Sequence, residues 1–126
     1  MFLSNFLFPC QFRAPRPSYS ITINVAARRL TLYKDGKVFK SYVVAVGKPS
    51  TPTPKGNFTI INKAVNPGGP FGARWLGLSA RGYGIHGTNN PSSIGKAVSN
   101  GCIRLLNANV IELFNLVSIG TPVKII

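Results

Sequence analysis

The chain has very few acidic residues, and this scarcity removes one class of mechanism. Only Asp35 and Glu112 are acidic among 126 residues, against fifteen Lys and Arg, which gives a formal net charge of +13. A glycosidase needs two carboxylates that flank one bond. Asp35 lies in a predicted turn and Glu112 on a predicted helix far along the chain. The sequence therefore gives no support to glycoside hydrolysis by a carboxylate pair.

Histidine and cysteine are almost as scarce. His86 is the single histidine, and Cys10 and Cys102 are the two cysteines. A zinc site takes three or four His, Cys or carboxylate ligands and would use nearly every candidate in the chain. We therefore expect no metal site and no cofactor. One cysteine pair is not a disulfide framework, so we interpret Cys10 as a free thiol.

The N-terminal segment Met1–Phe12 is apolar but lacks the usual features of an export signal. It has no positively charged start and no small-residue cleavage site, and it is too short to cross a membrane as a helix. We interpret residues 1–18 as an N-terminal extension or a degenerate export segment. Residues 19–126 have a length suited to one domain with one modest core.

The excess of positive charge predicts a polyanionic partner, and two kinds are open. Nucleic-acid binders usually concentrate their charge on one helix or stripe. Here the basic residues are scattered from Arg13 to Lys124, and Arg28-Arg29 is the only adjacent pair. We therefore expect no nucleic acid. An anionic cell-wall polymer is the other candidate partner.

The hydrophobic pattern predicts a mainly β fold, a sandwich-like or barrel-like sheet with one or two short helices. Alternating apolar residues over 19–25, the turn residues Asp35-Gly36 and strand-like runs up to 121–126 favour strands. We predict one helix through residue 98 that Asn90 caps and Pro91 begins. We predict a second helix over 108–117, capped by Asn107 and apolar on one face. The predicted strands cover 19–25, 30–34, 37–46, 56–65, 74–80, 83–86 and 121–126.

His86 and Cys102 together are the minimum equipment for nucleophilic catalysis by a thiolate. A thiol attacks as the thiolate, and a nearby imidazole can remove its proton. The two residues are sixteen positions apart, so we expect the intervening turns to return Cys102 to the end of the strand that carries His86. The alternative readings are a small buried cysteine and a hydrogen-bonded structural histidine.

The residues around this pair suggest how it would be supported. A tight glycine turn before Cys102 would expose backbone N–H groups, at Asn100 and Gly101, as an oxyanion hole. No carboxylate is near in sequence, so we expect the carbonyl of Gly87 or a side-chain amide to orient the imidazole. Arg104, two residues after Cys102, would share its face in an extended segment and could stabilise the thiolate or hold a substrate carboxylate. The alternative interpretation of Arg104 is an ordinary surface charge.

Several blocks in order closely resemble the YkuD-type L,D-transpeptidase catalytic domain. They are LTLYKDG, VGKPSTPTPKGNF, NPGGPFGARW, HGTNNP and SIGKAVSNGCIRL, and the resemblance as a whole covers the chain from about residue 19 to the C-terminus. The resemblance implies a mainly β fold and an enzyme of peptidoglycan synthesis. It implies that Cys102 is the nucleophile, that His86 is the general base, and that Ser99, Gly101 and Arg104 belong to the nucleophile motif. We add Tyr83 and Thr88 as candidate substrate-binding residues.

The implied reaction is acyl transfer between peptidoglycan stem peptides. Cys102 would attack at the third residue of one stem, release D-alanine, and pass the acyl group to a neighbouring amine as a 3→3 cross-link. Water as acceptor would make the same site an L,D-carboxypeptidase, and a silent wall-binding module is a further alternative. We expect carbapenem-type inhibitors to react, a monomer, and a location in the cell envelope outside the cytoplasm or in a spore layer.

The chain departs from the family pattern at one position. Many members carry a second histidine directly before the Gly-Cys pair, where this chain has Asn100. The backbone N–H of Asn100 can still serve an oxyanion hole, so we expect activity to survive. A proton-relay role for that side chain is not expected here.

Overall fold

The computed structural model describes residues 17–126, and the fold is mainly β, as predicted. The apolar N-terminal segment and Cys10 lie outside the described residues. Within them no helix is long and apolar enough to cross a membrane. The elements are β1 (Tyr19–Asn24), β2 (Arg29–Lys34), β3 (Lys37–Val43), β4 (Val46–Gly47), β5 (Gly56–Val65), β6 (Arg74–Leu78), β7 (Gly84–His86), β8 (Ala97–Ser99), β9 (Ile103–Arg104), α1 (Asn107–Leu116) and β10 (Pro122–Ile125).

A single curled sheet forms the framework of the molecule. Within residues 17–126 its eight strands run in the order β3-β2-β1-β10-β5-β6-β7-β9, and β4 pairs separately with β8. Just after β3, Ala45 exchanges two backbone hydrogen bonds with Arg104 of β9, at 2.9 and 3.0 Å. The two outer strands of the sheet are thereby brought together, so the sheet curls like a barrel.

The β2–β3 hairpin has the predicted turn. Asp35 and Gly36 both adopt positive φ, at 52° and 81°. Two successive positive φ values are those of the turn that best matches the twist of paired strands, and Asp-Gly tolerates them. Local chemistry therefore determines this turn, and Lys34 and Lys37 pair directly across it.

The core fills the inside of the curled sheet. Alternation in β1, β2 and β10 buries Ile21, Leu32 and Val123 to 1% exposure or less. Burying one such side chain contributes about 1.5–3 kcal/mol. Helix α1 covers this core with the face predicted from its spacing, from which Val110 and Leu113 are fully buried.

Three local predictions were wrong. Residues 90–98 do not form a helix, because only a 3₁₀ turn at Pro91–Ser93 precedes β8, which pairs with β4. Asn107 does not cap α1 with its side chain, since the helix begins at Asn107 and its amide oxygen binds elsewhere. The strand predicted over 37–46 breaks after Val43, where the chain leaves β2 and turns toward β9.

Candidate active site

His86 and Cys102 are brought together by two parallel neighbouring strands. In the β7–β9 register Ile85 lies opposite Ile103, and His86 lies opposite Arg104. Side chains alternate along a strand, so Cys102, two residues before Arg104, faces the same side as His86. Strand spacing and rise put the Cα atoms of His86 and Cys102 about 8 Å apart on the diagonal. The predicted return of Cys102 to the strand of His86 is therefore confirmed.

The imidazole of His86 is held in one orientation. It is 3% exposed, and its Nδ1 lies 2.5 Å from the carbonyl oxygen of Gly87. Because a carbonyl only accepts hydrogen bonds, Nδ1 carries the proton and Nε2 presents a lone pair. The Trp75 ring stacks on the imidazole at 18°, and the Phe71 ring meets it edge-on at 87°. This arrangement suits Nε2 to accept a proton.

Electrostatics keep His86 neutral near neutral pH. Burial lowers the pKa of His86, and the positive charge of Arg104 lowers it further, while the hydrogen bond to Gly87 acts in the opposite direction. A neutral imidazole is the form that can act as a base.

Cys102 is partly buried and its thiol is harder to ionise than a free one. Burial raises the pKa of Cys102, while the backbone of Gly84 and the charge of Arg104 lower it. The Sγ atom lies 3.9 Å from the carbonyl oxygen of Gly82. A raised pKa of the thiol and a lowered pKa of the imidazole both favour the neutral forms of Cys102 and His86.

Ser99 braces the turn before Cys102. Its hydroxyl donates to the carbonyl of Cys102 at 2.6 Å and accepts from the N–H of Gly101 at 3.0 Å. Gly101 has φ +119°, and a Cβ there would collide with the ring of Tyr83. Only glycine fits this turn, because both its backbone angle and its space exclude a side chain.

The turn offers a different set of N–H donors from the expected one. The N–H of Gly101, expected to be available for an oxyanion, is already bonded to Ser99. The N–H groups of Asn100 and Cys102 carry no hydrogen bond to another residue within 17–126. These two N–H groups are the available donors beside the thiol of Cys102.

One cavity of about 270 Å³ contains this chemistry. No carboxylate lines it, and among residues 17–126 no three His, Cys, Asp or Glu side chains cluster in a way that would hold a metal ion. A larger groove of about 490 Å³ lies between β3 and α1 but contains neither the histidine nor the cysteine. The lining of the smaller cavity is Pro70, Phe71, Gly82, His86, Ser99, Asn100, Cys102 and Arg104.

Comparison with known proteins decides the family. A model of the YkuD family, the L,D-transpeptidase catalytic domain, matches residues 18–125. The chain belongs to the YkuD family. The resemblance seen in the sequence is thereby confirmed, and so is the fold that it implied.

Individual relatives agree with this assignment. A Bacillus subtilis protein that carries the name L,D-transpeptidase YkuD is 59% identical over 107 residues, 85% of this chain and 65% of that protein. A cysteine-to-serine mutant of Enterococcus faecium L,D-transpeptidase is 30% identical, with a TM-score of 0.76 over 88% of this chain and 50% of that one. L,D-transpeptidase 3 of Mycobacterium tuberculosis, with a faropenem-derived adduct, shares the fold at 22% identity and a TM-score of 0.76, over 86% and 60%. The chain thus spans less than two thirds of these relatives.

The remaining predicted site residues of this YkuD-family domain lie partly in the cavity and partly outside it. Arg104 and Ser99 line the cavity together with His86 and Cys102. Tyr83 packs its ring against Gly101. Thr88 is buried and does not line the cavity, and its hydroxyl accepts from the N–H of Asn90 at 2.9 Å.

Sequence reasoning missed three residues that shape the site. Phe71 and Trp75 enclose the imidazole, and Trp75 lies directly opposite His86 in the β6–β7 register. Asn107 accepts from the N–H groups of Ala73 and Thr88 at 3.0 and 3.2 Å. The only hint of Asn107 in the sequence is the pair of glycines that it contacts. A Cβ on Gly72 or Gly87 would collide with the Asn107 amide oxygen.

Proposed function

We propose that this domain is a peptidoglycan L,D-transpeptidase that forms 3→3 cross-links through an acyl-enzyme on Cys102. The observation that carries the proposal is the shared face of His86 and Cys102, with Nδ1 of His86 bonded to Gly87 so that Nε2 is the proton acceptor. Membership of the YkuD family supports the reaction class. No metal or cofactor is needed for it.

Acylation follows from the neutral pair. Nε2 of His86 takes the Sγ proton, and the thiolate attacks the carbonyl carbon of the third residue of a donor stem. As the new S–C bond forms, the carbonyl electron pair moves onto oxygen, and the N–H groups of Asn100 and Cys102 donate hydrogen bonds to the resulting oxyanion. The intermediate then expels D-alanine, whose departing amine takes the proton from the His86 imidazolium.

Transfer to the acceptor reverses these steps. An amine of a neighbouring stem attacks the thioester while His86 removes its proton. A C–N bond forms, the C–S bond breaks, and Cys102 recovers a proton. Water in place of the amine would yield a shortened stem and make the domain an L,D-carboxypeptidase.

Arg104 gives the site an affinity for anionic substrate. It is half-buried and lines the cavity, where no carboxylate competes for it. A guanidinium binds carboxylate through paired, charge-assisted hydrogen bonds. We assign it to a carboxylate of the stem peptide, and its charge also favours the thiolate.

The surface charge fits an anionic wall polymer as a second partner. Both acids of the chain are engaged, Asp35 by the N–H of Ser18 and Glu112 by Lys40 and Tyr42. The other basic side chains are left to attract external anions. We therefore propose that the domain works in the cell envelope, outside the cytoplasm, or in a spore layer.

Product analysis tests the proposal directly. The protein is mixed with disaccharide-tetrapeptide, and the products are identified by mass spectrometry. A cross-linked dimer with released D-alanine is expected, and Cys102→Ala should form none while keeping the fold. Disaccharide-tripeptide alone would replace transpeptidation by carboxypeptidation. Unchanged substrate would leave only a wall-binding role and overturn the proposal.

A further inference from the structure

A threonine-proline loop, Lys48–Pro54, packs against the turn that carries the nucleophile. Prolines at 49, 52 and 54 fix φ at three of its seven positions and restrict the residues before them. A Cβ on Gly47, where the loop begins, would collide with the carbonyl oxygen of Thr51. The loop is therefore stiff and lies directly on β4.

The loop holds two carbonyl groups of the nucleophile turn. Thr51 donates its hydroxyl to the carbonyl of Ser99 at 2.8 Å, and the N–H of Lys48 donates to the same oxygen at 3.1 Å. Thr53, 4% exposed, donates to the carbonyl of Gly101 at 2.9 Å and accepts from the N–H of Gly47 at 3.0 Å.

These two carbonyls belong to the peptide units of the two available N–H donors. The carbonyl of Ser99 shares a peptide plane with the N–H of Asn100, and the carbonyl of Gly101 shares one with the N–H of Cys102. All peptide bonds among residues 17–126 are trans. In a trans peptide the C=O and N–H point in opposite directions. Fixing each carbonyl toward the loop therefore fixes each N–H away from it.

The cavity lies beside the same turn. Ser99, Asn100 and Cys102 line it, and no residue of the Lys48–Pro54 loop does. The loop therefore contacts the turn without lining the cavity, and the N–H groups directed away from the loop are the donors that the turn leaves for a group bound there. A donor aimed before the reaction stabilises a developing oxyanion without reorganisation.

We propose that Thr51 and Thr53 are positioning residues that orient the oxyanion hole of Asn100 and Cys102 through the carbonyls of Ser99 and Gly101. This inference rests on the proposed acyl-transfer function. The two threonines touch neither the substrate nor the reacting atoms. Their hydroxyl groups act only by setting two peptide planes, so the effect is confined to steps that create an oxyanion.

Two reagents distinguish a role in orienting the oxyanion hole from a general structural effect on Cys102. A carbapenem acylates Cys102 when Sγ attacks the lactam carbonyl, the C–N bond opens and the nitrogen takes the thiol proton, and this step passes through an oxyanion. Iodoacetamide alkylates Sγ by displacing iodide, with no oxyanion at all. Both rates are measured at Cys102 by mass spectrometry of the proteolytic peptide that contains it, because Cys10 is a second thiol, on wild type, Thr53→Val and Thr51→Val. Thr53→Ser and Thr51→Ser retain the hydroxyl, and Thr121→Val is the matched control, since its hydroxyl binds the N–H of Ser118.

The expected result is a selective loss. Thr53→Val should lower the carbapenem acylation rate about 10- to 100-fold, below the about 10²- to 10³-fold cost of losing a whole donor. Its iodoacetamide rate should stay within about twofold of wild type, because no oxyanion forms in that reaction. Thr51→Val should show a smaller selective loss, since Lys48 still holds the Ser99 carbonyl. The serine variants and Thr121→Val should behave as wild type.

Other outcomes overturn the inference. Equal loss of both rates in Thr53→Val would make the threonine merely structural, and equal retention would remove its role altogether. If Thr53→Val does not fold, the half-buried Thr51→Val decides by the same two rates. Wild type that is not acylated at Cys102 would overturn the proposed function as well, whereas acylation unchanged by either valine would overturn this inference alone.

Discussion

Nδ1 of His86 lies 2.5 Å from the carbonyl oxygen of Gly87, the next residue along the chain. The imidazole is therefore oriented by the main chain, and no carboxylate lines the cavity that contains it. A neutral acceptor does not raise the pKa of its partner as strongly as a carboxylate would. This is why burial and Arg104 prevail and the pKa of His86 falls.

Titration of His86 should show this directly. Because His86 is the only histidine, its imidazole NMR signals can be assigned without ambiguity. We expect its midpoint below the ordinary value of about 6.5, so the base form and the acylation rate persist on the acid side of that pH. In Arg104→Gln the midpoint should rise, since a repelling charge is gone. A wild-type midpoint above 6.5 would contradict this account of the site.

Asn107 should stabilise the segments around His86. Asn107→Ala removes the acceptor of two backbone N–H groups, Ala73 and Thr88. Leaving partly buried donors unpaired costs about 1–3 kcal/mol. Urea denaturation should show a loss of that order, and Asn107→Asp, which keeps an oxygen in the same place, should lose less. Equal stability of the alanine variant and wild type would show that this amide is dispensable.

The Glu112 carboxylate should contribute stability that acid removes. Hydrogen bonds from Tyr42 and Lys40 hold the pKa of Glu112 below its usual range. A carboxyl with a depressed pKa stabilises the fold at neutral pH, and this contribution is lost as pH falls through that pKa. The difference in melting temperature between wild type and Glu112→Gln should therefore shrink as the solution is acidified. A difference that stays constant down to strongly acidic pH would disprove the linkage.

Attachment to cell walls should depend on salt. Exposed charges separated by more than about 8 Å are screened at physiological ionic strength, and screening grows with added salt. Binding of the protein to isolated walls, measured by co-sedimentation, should fall as NaCl is raised. Walls stripped of anionic polymer should bind less at every salt concentration. Binding that does not respond to salt would rule out charge as its basis.

The sequence alone predicted the fold correctly where neighbouring residues determine the local structure. Asp35-Gly36 forms its hairpin because those two residues tolerate positive φ. The α1 face was readable because its apolar residues repeat at helical spacing. The failure at 90–98 has a physical cause: residues Ala97–Ser99 pair with Val46–Gly47, about fifty positions earlier, and no local pattern encodes that partner.

In the candidate site, too, the sequence predicted what depends on residue type and missed what depends on tertiary contacts. His86 and Cys102 were recognisable from their rarity and their glycine neighbours. Phe71 and Trp75 could not be recognised in the same way. Trp75 contacts the imidazole because of the register of β6 on β7, and Phe71 contacts it because of the turn before β6. The sequence also could not predict that the N–H of Gly101 is already hydrogen-bonded, since that bond depends on where the Ser99 hydroxyl points.

The bridge between Ala45 and Arg104 limits how a peptide can approach the nucleophile. Both backbone hydrogen-bonding groups of Arg104 are bonded to Ala45. A peptide substrate, such as the proposed stem peptide, therefore cannot extend the sheet as a further strand beside Arg104, as peptides do when they add to a free sheet edge. In the proposed reaction the peptide approaches over the face of β7 and β9, where the cavity side chains and the N–H groups of the turn before Cys102 are accessible to it.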